Sequence, residues 1–235
     1  MLATINDLPL LPYLREFSDK IAAVAGTAIR LERREPDKTN VNPNALAYRI
    51  GASPDFTPWI IYRNSQEIPN HMILHELLHL RRVVVQGIPQ LVTLKNGADY
   101  PEDGHCLENA IEHTVIVPVQ LKCGIESKKY WNDLVVKLLK KSRGNIPDDP
   151  QDRRRMAVIA SLDARYCVTD LRVKKAVAKW IAKLGETKFA HEFIQRYRRA
   201  HGNKAEMARM VLRAIGEKRL VGLRKYGKKS IPLDY

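Results

Sequence analysis

Apolar residues recur three and four positions apart along most of this chain, broken by a few short segments in which they alternate or cluster. In residues 8–25, Leu10, Leu14, Phe17, Ile21 and Val24 fall at helical spacing. Residues 27–33 and 46–50 are short and β-prone, and between them runs Glu35-Pro-Asp-Lys-Thr-Asn-Val-Asn-Pro-Asn, which is turn chemistry. Pro58-Trp-Ile-Ile-Tyr-Arg63 predicts another strand. A helix is then expected from about residue 71, with Asn70 as its N-cap, to residue 86, where Gly87 stops it. After the loop Pro101-Glu-Asp-Gly, a helix is expected over 104–117, ending before Pro118. Lys128 to Lys141 is amphipathic, with Leu134, Val135, Leu138 and Leu139 inward.

Gly144-Asn-Ile-Pro-Asp-Asp-Pro150 is the best linker in the sequence. Beyond it the pattern is helical to about residue 222, and Lys225 to Tyr235 reads as a short, loosely held tail. The expected class is α+β: a first part, residues 1–148, with a small mixed sheet, followed by a basic helical region, residues 149–235.

Composition refines this picture. With 235 residues and 45% hydrophobic content, the chain can bury a core of one large domain, or of one domain with an appendage. No segment approaches the ~18 apolar residues that span a bilayer, and the amino terminus does not read as a secretion signal. Cys106, Cys123 and Cys167 are odd in number and form no CxxC pair. They imply reduced thiols and a cytoplasmic setting, and they give no support to a cysteine metal site. Charge is uneven: residues 1–150 hold 18 basic and 18 acidic side chains, residues 151–235 hold 22 and 8, so the whole excess of +14 lies in the last third. That asymmetry points either to nucleic acid or another polyanion, or to solvated helix faces.

The chemistry concentrates in His75-Glu76-Leu77-Leu78-His79. Histidines four apart on a helix project from one face, so both imidazoles can hold one zinc ion at ~2.0–2.1 Å. Glu76 is then placed beside the metal as general base. Ile73, Leu74, Leu77, Leu78 and Leu80 would bury the remainder of the helix. A catalytic zinc takes a third protein ligand and keeps one position open. Residues 105–113, His-Cys-Leu-Glu-Asn-Ala-Ile-Glu-His, are the densest supply. Glu108 and Glu112 share a helix face, so one can bind zinc while the other orients a ligand histidine. A metal would also account for carboxylates near an apolar arc formed by Leu107, Ile111 and Val115. His105 is an alternative nitrogen ligand. His113 points about 100° away from Glu112, and His71 lies one turn before His75. Tyr100 and His105 each qualify as oxyanion donors.

On these residues the chain resembles the gluzincin metallopeptidases, in which a HExxH helix precedes a helix donating a glutamate ligand. Residue by residue, the resemblance implies His75 and His79 as zinc ligands, Glu76 as general base, Glu108 as the ligand glutamate and Glu112 as the acid that orients a ligand histidine; the reverse assignment of the two glutamates fits nearly as well. A looser similarity links it to the ImmA/IrrE-type peptidases, whose second helix ends in an apolar run and proline, as Val115-Ile-Val-Pro118 does here. The Ala-Asn-x-Phe-Ala run of that family is absent. His105 as third ligand would instead resemble the SprT-like peptidases that act on proteins attached to DNA, although its separation from His79 exceeds that family's usual spacing. The gluzincin resemblance covers residues 55–120 and implies a cytoplasmic zinc peptidase acting on a protein or peptide, with a small mixed sheet packed on the HExxH helix. Trp59 to Arg63 is expected either as an edge strand that pairs with substrate or as a plain core strand. Arg153-Arg154-Arg155, Lys174-Lys175, Arg196-Tyr-Arg198-Arg199 and Lys228-Lys229 carry no nucleic-acid signature, and any phosphate contact there would be independent of sequence. A different class remains: a nucleic-acid-associated or regulatory protein whose zinc site is structural or vestigial.

Overall fold

The computed structural model of the chain describes residues 4–35, 46–51, 56–62, 68–95, 98–142 and 146–235, with side chains for all of these except 98–105 and 125. The class is α+β, and the chain forms two compact units. The first comprises Met1–Pro89 with Lys225–Lys229, the second Gln90–Arg224 with Ser230–Tyr235.

In the first unit, helix α1 (Pro12–Ala25) buries Leu14 and Ile21 and is closed by Gly26 in the left-handed region, φ 69°. Strands β1 (Arg30–Arg33), β2 (Ala47–Ile50) and β3 (Pro58–Tyr62) form a mixed sheet in the order β1-β3-β2, with β1 parallel and β2 antiparallel to β3. Helix α2 (Asn70–Leu80) follows, and a widened π-helical turn (Arg81–Val85) carries it to Gly87. Helix α1 packs on α2, and α2 on β2. Strand β3 is therefore central. The edge-strand role for Trp59 to Arg63 does not survive, because both long sides of β3 are already paired; Arg63 itself lies outside the described residues.

The second unit opens on a segment that the periodicity did not reveal. Strands β4 (Gln90–Lys95), β5 (Ala98–Tyr100), β6 (Val221–Arg224) and β7 (Ser230–Pro232) form an antiparallel sheet in the order β5-β4-β6-β7. Helix α3 (Pro101–Gln120) lies along β4. Around it are α4 (Ile125–Ser142), α5 (Pro150–Leu162), α6 (Leu171–Lys183), α7 (Thr187–Ala200) and α8 (Lys204–Ala214). One core joins Leu91, Leu107, Ile111, Phe193, Tyr197, Met207 and Leu212. A second joins Val135, Ala157, Val173, Val177, Trp180 and Leu184.

Three expectations change here. The compact units divide after Pro89 rather than at 148/149, because α3 packs against β4, α5 and α8. The supposed tail is held: the Leu233 N–H donates to the Val221 carbonyl at 2.9 Å, and Leu233 is buried. Helix α3 also runs through Pro118 instead of stopping before it. Proline has no N–H, so the Thr114 carbonyl four residues back loses its helical donor. The His201 Nε2 lies 3.1 Å from that oxygen, and since a carbonyl can only accept, this nitrogen carries the proton. Tyr166 stacks on the His201 ring with centroids 5.0 Å apart. The histidine thus replaces the hydrogen bond that proline removes. Among the described residues, no helix is long and apolar enough to cross a membrane.

This substitution of donors can be tested by a double-mutant cycle. His201→Phe should cost about 1–3 kcal/mol by urea unfolding, the range for a polar group left unsatisfied. In a Pro118→Ala background the helical N–H returns, so the cost should shrink; an equal cost in both backgrounds would show that His201 does not serve that carbonyl.

Candidate functional site

In the first unit the α2 sequence does what its pattern requires. Ile73, Leu74, Leu77, Leu78 and Leu80 are buried, so the helix is fixed and the His75/His79 face is presented with little slack. The two rings meet edge to face with centroids 4.9 Å apart, and their candidate ligand atoms lie within 4.8 Å of each other. Two nitrogens bound to one tetrahedral zinc sit roughly 3.4 Å apart given bonds of ~2.05 Å, a separation inside that bound, and imidazole nitrogens are donors that suit this ion. His79 is buried and His75 half-buried. His71 occupies the first turn of α2.

Strand β2 braces these residues. Gly51 N–H donates to Thr57 O at 3.0 Å, and Ala47 to Ile50 continue the same antiparallel register against β3. Hydrogen-bonding residues alternate along such a pair, so the Tyr48 N–H faces away from β3, toward the open edge. There it donates to the Glu76 carboxylate. The Tyr48 ring stacks on His79, centroids 4.6 Å apart and planes 17° from parallel. One residue of the strand therefore braces both Glu76 and His79. Burial pushes the Glu76 carboxyl up to about 8, with the Tyr48 N–H opposing the shift.

In the second unit Glu108 and Glu112 share a face of α3, as their spacing requires, and both are buried. Their partner is a lysine. Lys204 Nζ donates to Glu108 Oε2 at 2.6 Å and to Glu112 Oε1 at 2.7 Å. The Leu91 N–H donates to Glu108 Oε2 at 2.9 Å, tying α3 to β4. Lys204 compensates these buried carboxylates. Burial, opposed by Lys204 and reinforced by Glu112, raises the Glu108 carboxyl above its ordinary value. Burial alone would lower the Lys204 ammonium, but the adjacent Glu108 and Glu112 carboxylates outweigh it and the lysine is raised.

His113 leaves α3 on another side, its ring meeting Trp131 edge to face at 4.9 Å. The side chains of Tyr100 and His105 lie outside the described residues. Trp59 lies between Arg30 and Arg49, whose guanidinium carbons are 5.4 and 5.2 Å from the ring centre. Two participants were missed in the sequence. Tyr48 left no signal, because a backbone N–H at a sheet edge depends on strand pairing. Lys204 did leave one: it stands at i of an i, i+3, i+4, i+7 row whose other members, Met207, Ala208 and Val211, are apolar and buried.

The ion cluster makes a signed prediction. Lys204→Met removes the cation from two buried carboxylates and should destabilise the fold by about 3–5 kcal/mol near neutral pH. A carboxyl whose folded pKa is raised binds protons more readily folded than unfolded, so acidification favours the folded state. The deficit of Lys204→Met relative to the parent should therefore be largest near pH 8 and shrink toward pH 5 in chemical denaturation. A deficit that is flat or grows on acidification would contradict the cluster.

Comparison with protein-family models, curated proteins and solved structures returns no match to this chain.

Proposed function

We propose that the chain is a zinc-dependent metallopeptidase that hydrolyses a peptide bond of a protein or peptide. One observation carries this reading: His75 and His79 present ligand atoms from one face of α2, and the intervening Glu76 is held, buried, by the Tyr48 N–H at an open sheet edge. A histidine pair with no role beyond packing does not call for a buried carboxylate between its members.

His75 and His79 would hold the ion through their imidazole nitrogens, and zinc, when bound, would supply Lewis acidity. In its ionised form Glu76 receives a proton from the attacking water and passes it to the leaving amine nitrogen. The Tyr48 N–H keeps the carboxylate oriented, and Tyr48 stacking on His79 limits rotation of that ring. The third ligand is a separate proposal. Glu108 and Glu112 are engaged by Lys204, and a zinc ion would have to compete with that ammonium for either of them. His113, about 100° further round α3 from Glu112, offers an imidazole away from the lysine. It is the better candidate for third ligand, which leaves Glu108 and Glu112 to stabilise the fold.

Metal content and turnover separate these roles. His75→Ala or His79→Ala should abolish stoichiometric zinc, read by elemental analysis. Glu76→Gln should retain zinc and the parent melting temperature while turnover of a denatured-protein substrate falls by about 10²–10⁴-fold. Zinc loss in Glu76→Gln would make Glu76 a ligand and end this mechanism. In a zinc titration His113→Ala should lose high-affinity binding, whereas Glu108→Gln should keep it; the opposite order would restore the glutamate as ligand.

A further inference from the structure

Five cations of the helical region are held in ion pairs. Arg154 faces Glu186, Arg155 faces Asp152, Arg209 faces Glu206 and Arg219 faces Glu217, and Lys204 is buried against Glu108 and Glu112. Helix α6 carries a further, aligned set. Its sequence, LRVKKAVAKWIAK, contains no acidic residue. Arg172, Lys175, Lys179 and Lys183 are all exposed. They are separated by three, four and four residues, which at 3.6 residues per turn confines them to an arc of about 80° and a row about 16 Å long. The nearest acid along the chain, Asp170, is the N-cap, and its carboxylate accepts the Arg172 backbone N–H at 2.6 Å. Among the described residues none of the four takes part in an ion pair.

We propose that this row is a docking surface for the phosphate backbone of double-stranded DNA, bound without regard to sequence. Each turn of α6 offers one cation, and a phosphodiester strand offers anions in a line, so charges meet along a shared axis. Ala176, Ala178 and Ala182 flank the row on α6, with the exposed Leu171 beside its amino-terminal end. A membrane is the poorer occupant. Val173, Val177, Trp180, Ile181 and Leu184 are all buried in the core, and only Leu171, at the helix start, is left as an exposed large apolar side chain of α6; an interfacial helix needs an apolar face to insert. A single strand is also poorer, because the one aromatic of α6, Trp180, is buried and offers no stacking platform. Duplex RNA presents phosphates too, beside 2′-hydroxyls, and tighter binding to duplex RNA than to duplex DNA would overturn this choice.

The test is fluorescence anisotropy of the full chain with a labelled DNA duplex of arbitrary sequence, about two helical turns long, titrated between about 50 and 200 mM salt. Four phosphate contacts contribute about 3.6 to the magnitude of the slope of log K against log salt, at about 0.9 each. The R172Q/K175Q/K179Q/K183Q variant should lose about that much slope and at least about tenfold in affinity at the lowest salt. Removing as many charges from α4, as K128Q/K129Q/K137Q/K140Q, should leave the slope near the parent value. Equal losses in the two variants would show diffuse charge and overturn the assignment. If the α6 variant melts early, K179Q alone carries the test, with an expected slope loss of about one; no loss overturns the proposal. Tighter binding to the single strand, or row-dependent sedimentation with phosphatidylserine vesicles without duplex binding, would also overturn it.

Discussion

A carboxylate removed from water must find a proton, a cation or an oriented dipole, and both units of this chain are arranged around that constraint. In the first, the Tyr48 backbone N–H offsets burial only in part and the Glu76 carboxyl rises to about 8, so it keeps a proton at neutral pH. In the second, Glu108 and Glu112 are met by a full ammonium and a strand N–H, which leaves them committed. The same side-chain type thus holds a proton in one setting and faces a cation in the other, and the difference lies in the partner rather than in burial.

Much of the first unit was legible because its signals are local. The i, i+4 histidines, the apolar residues around them, the turn-rich break before 46–50 and the stop at Gly87 each depend on neighbours a few positions away. Helix α2, taken with its π-helical turn, and the three strands follow within a residue or three. What escaped depends on pairing across the chain. That β3 is central and β2 the edge cannot be read from either strand alone, since both are short and β-prone. The outward Tyr48 N–H follows only once the register against β3 is known.

The second unit misled the reading for a related reason. The turn-rich run at 144–150 and the change in charge composition coincide, and together they resemble a domain border. Composition, however, reports on solvent-facing positions, whereas unity of a fold is decided by contacts such as Leu91 to Glu108 and Lys204 to Glu112, 17 and 92 residues apart in sequence. Pro118 misled in the same way. A proline ends a helix when nothing replaces the lost donor, and His201, 87 residues from Thr114, does replace it.

That reach along the chain bears on how the protein can be divided. Cutting at the charge break would keep α3 but discard Lys204, His201, β6 and β7. The fragment would hold two buried carboxylates without a cation, a helical carbonyl without a donor, and one bare edge of β4. Residues 1–148 alone would lack partners that α3 uses, and the basic carboxy-terminal third supplies them.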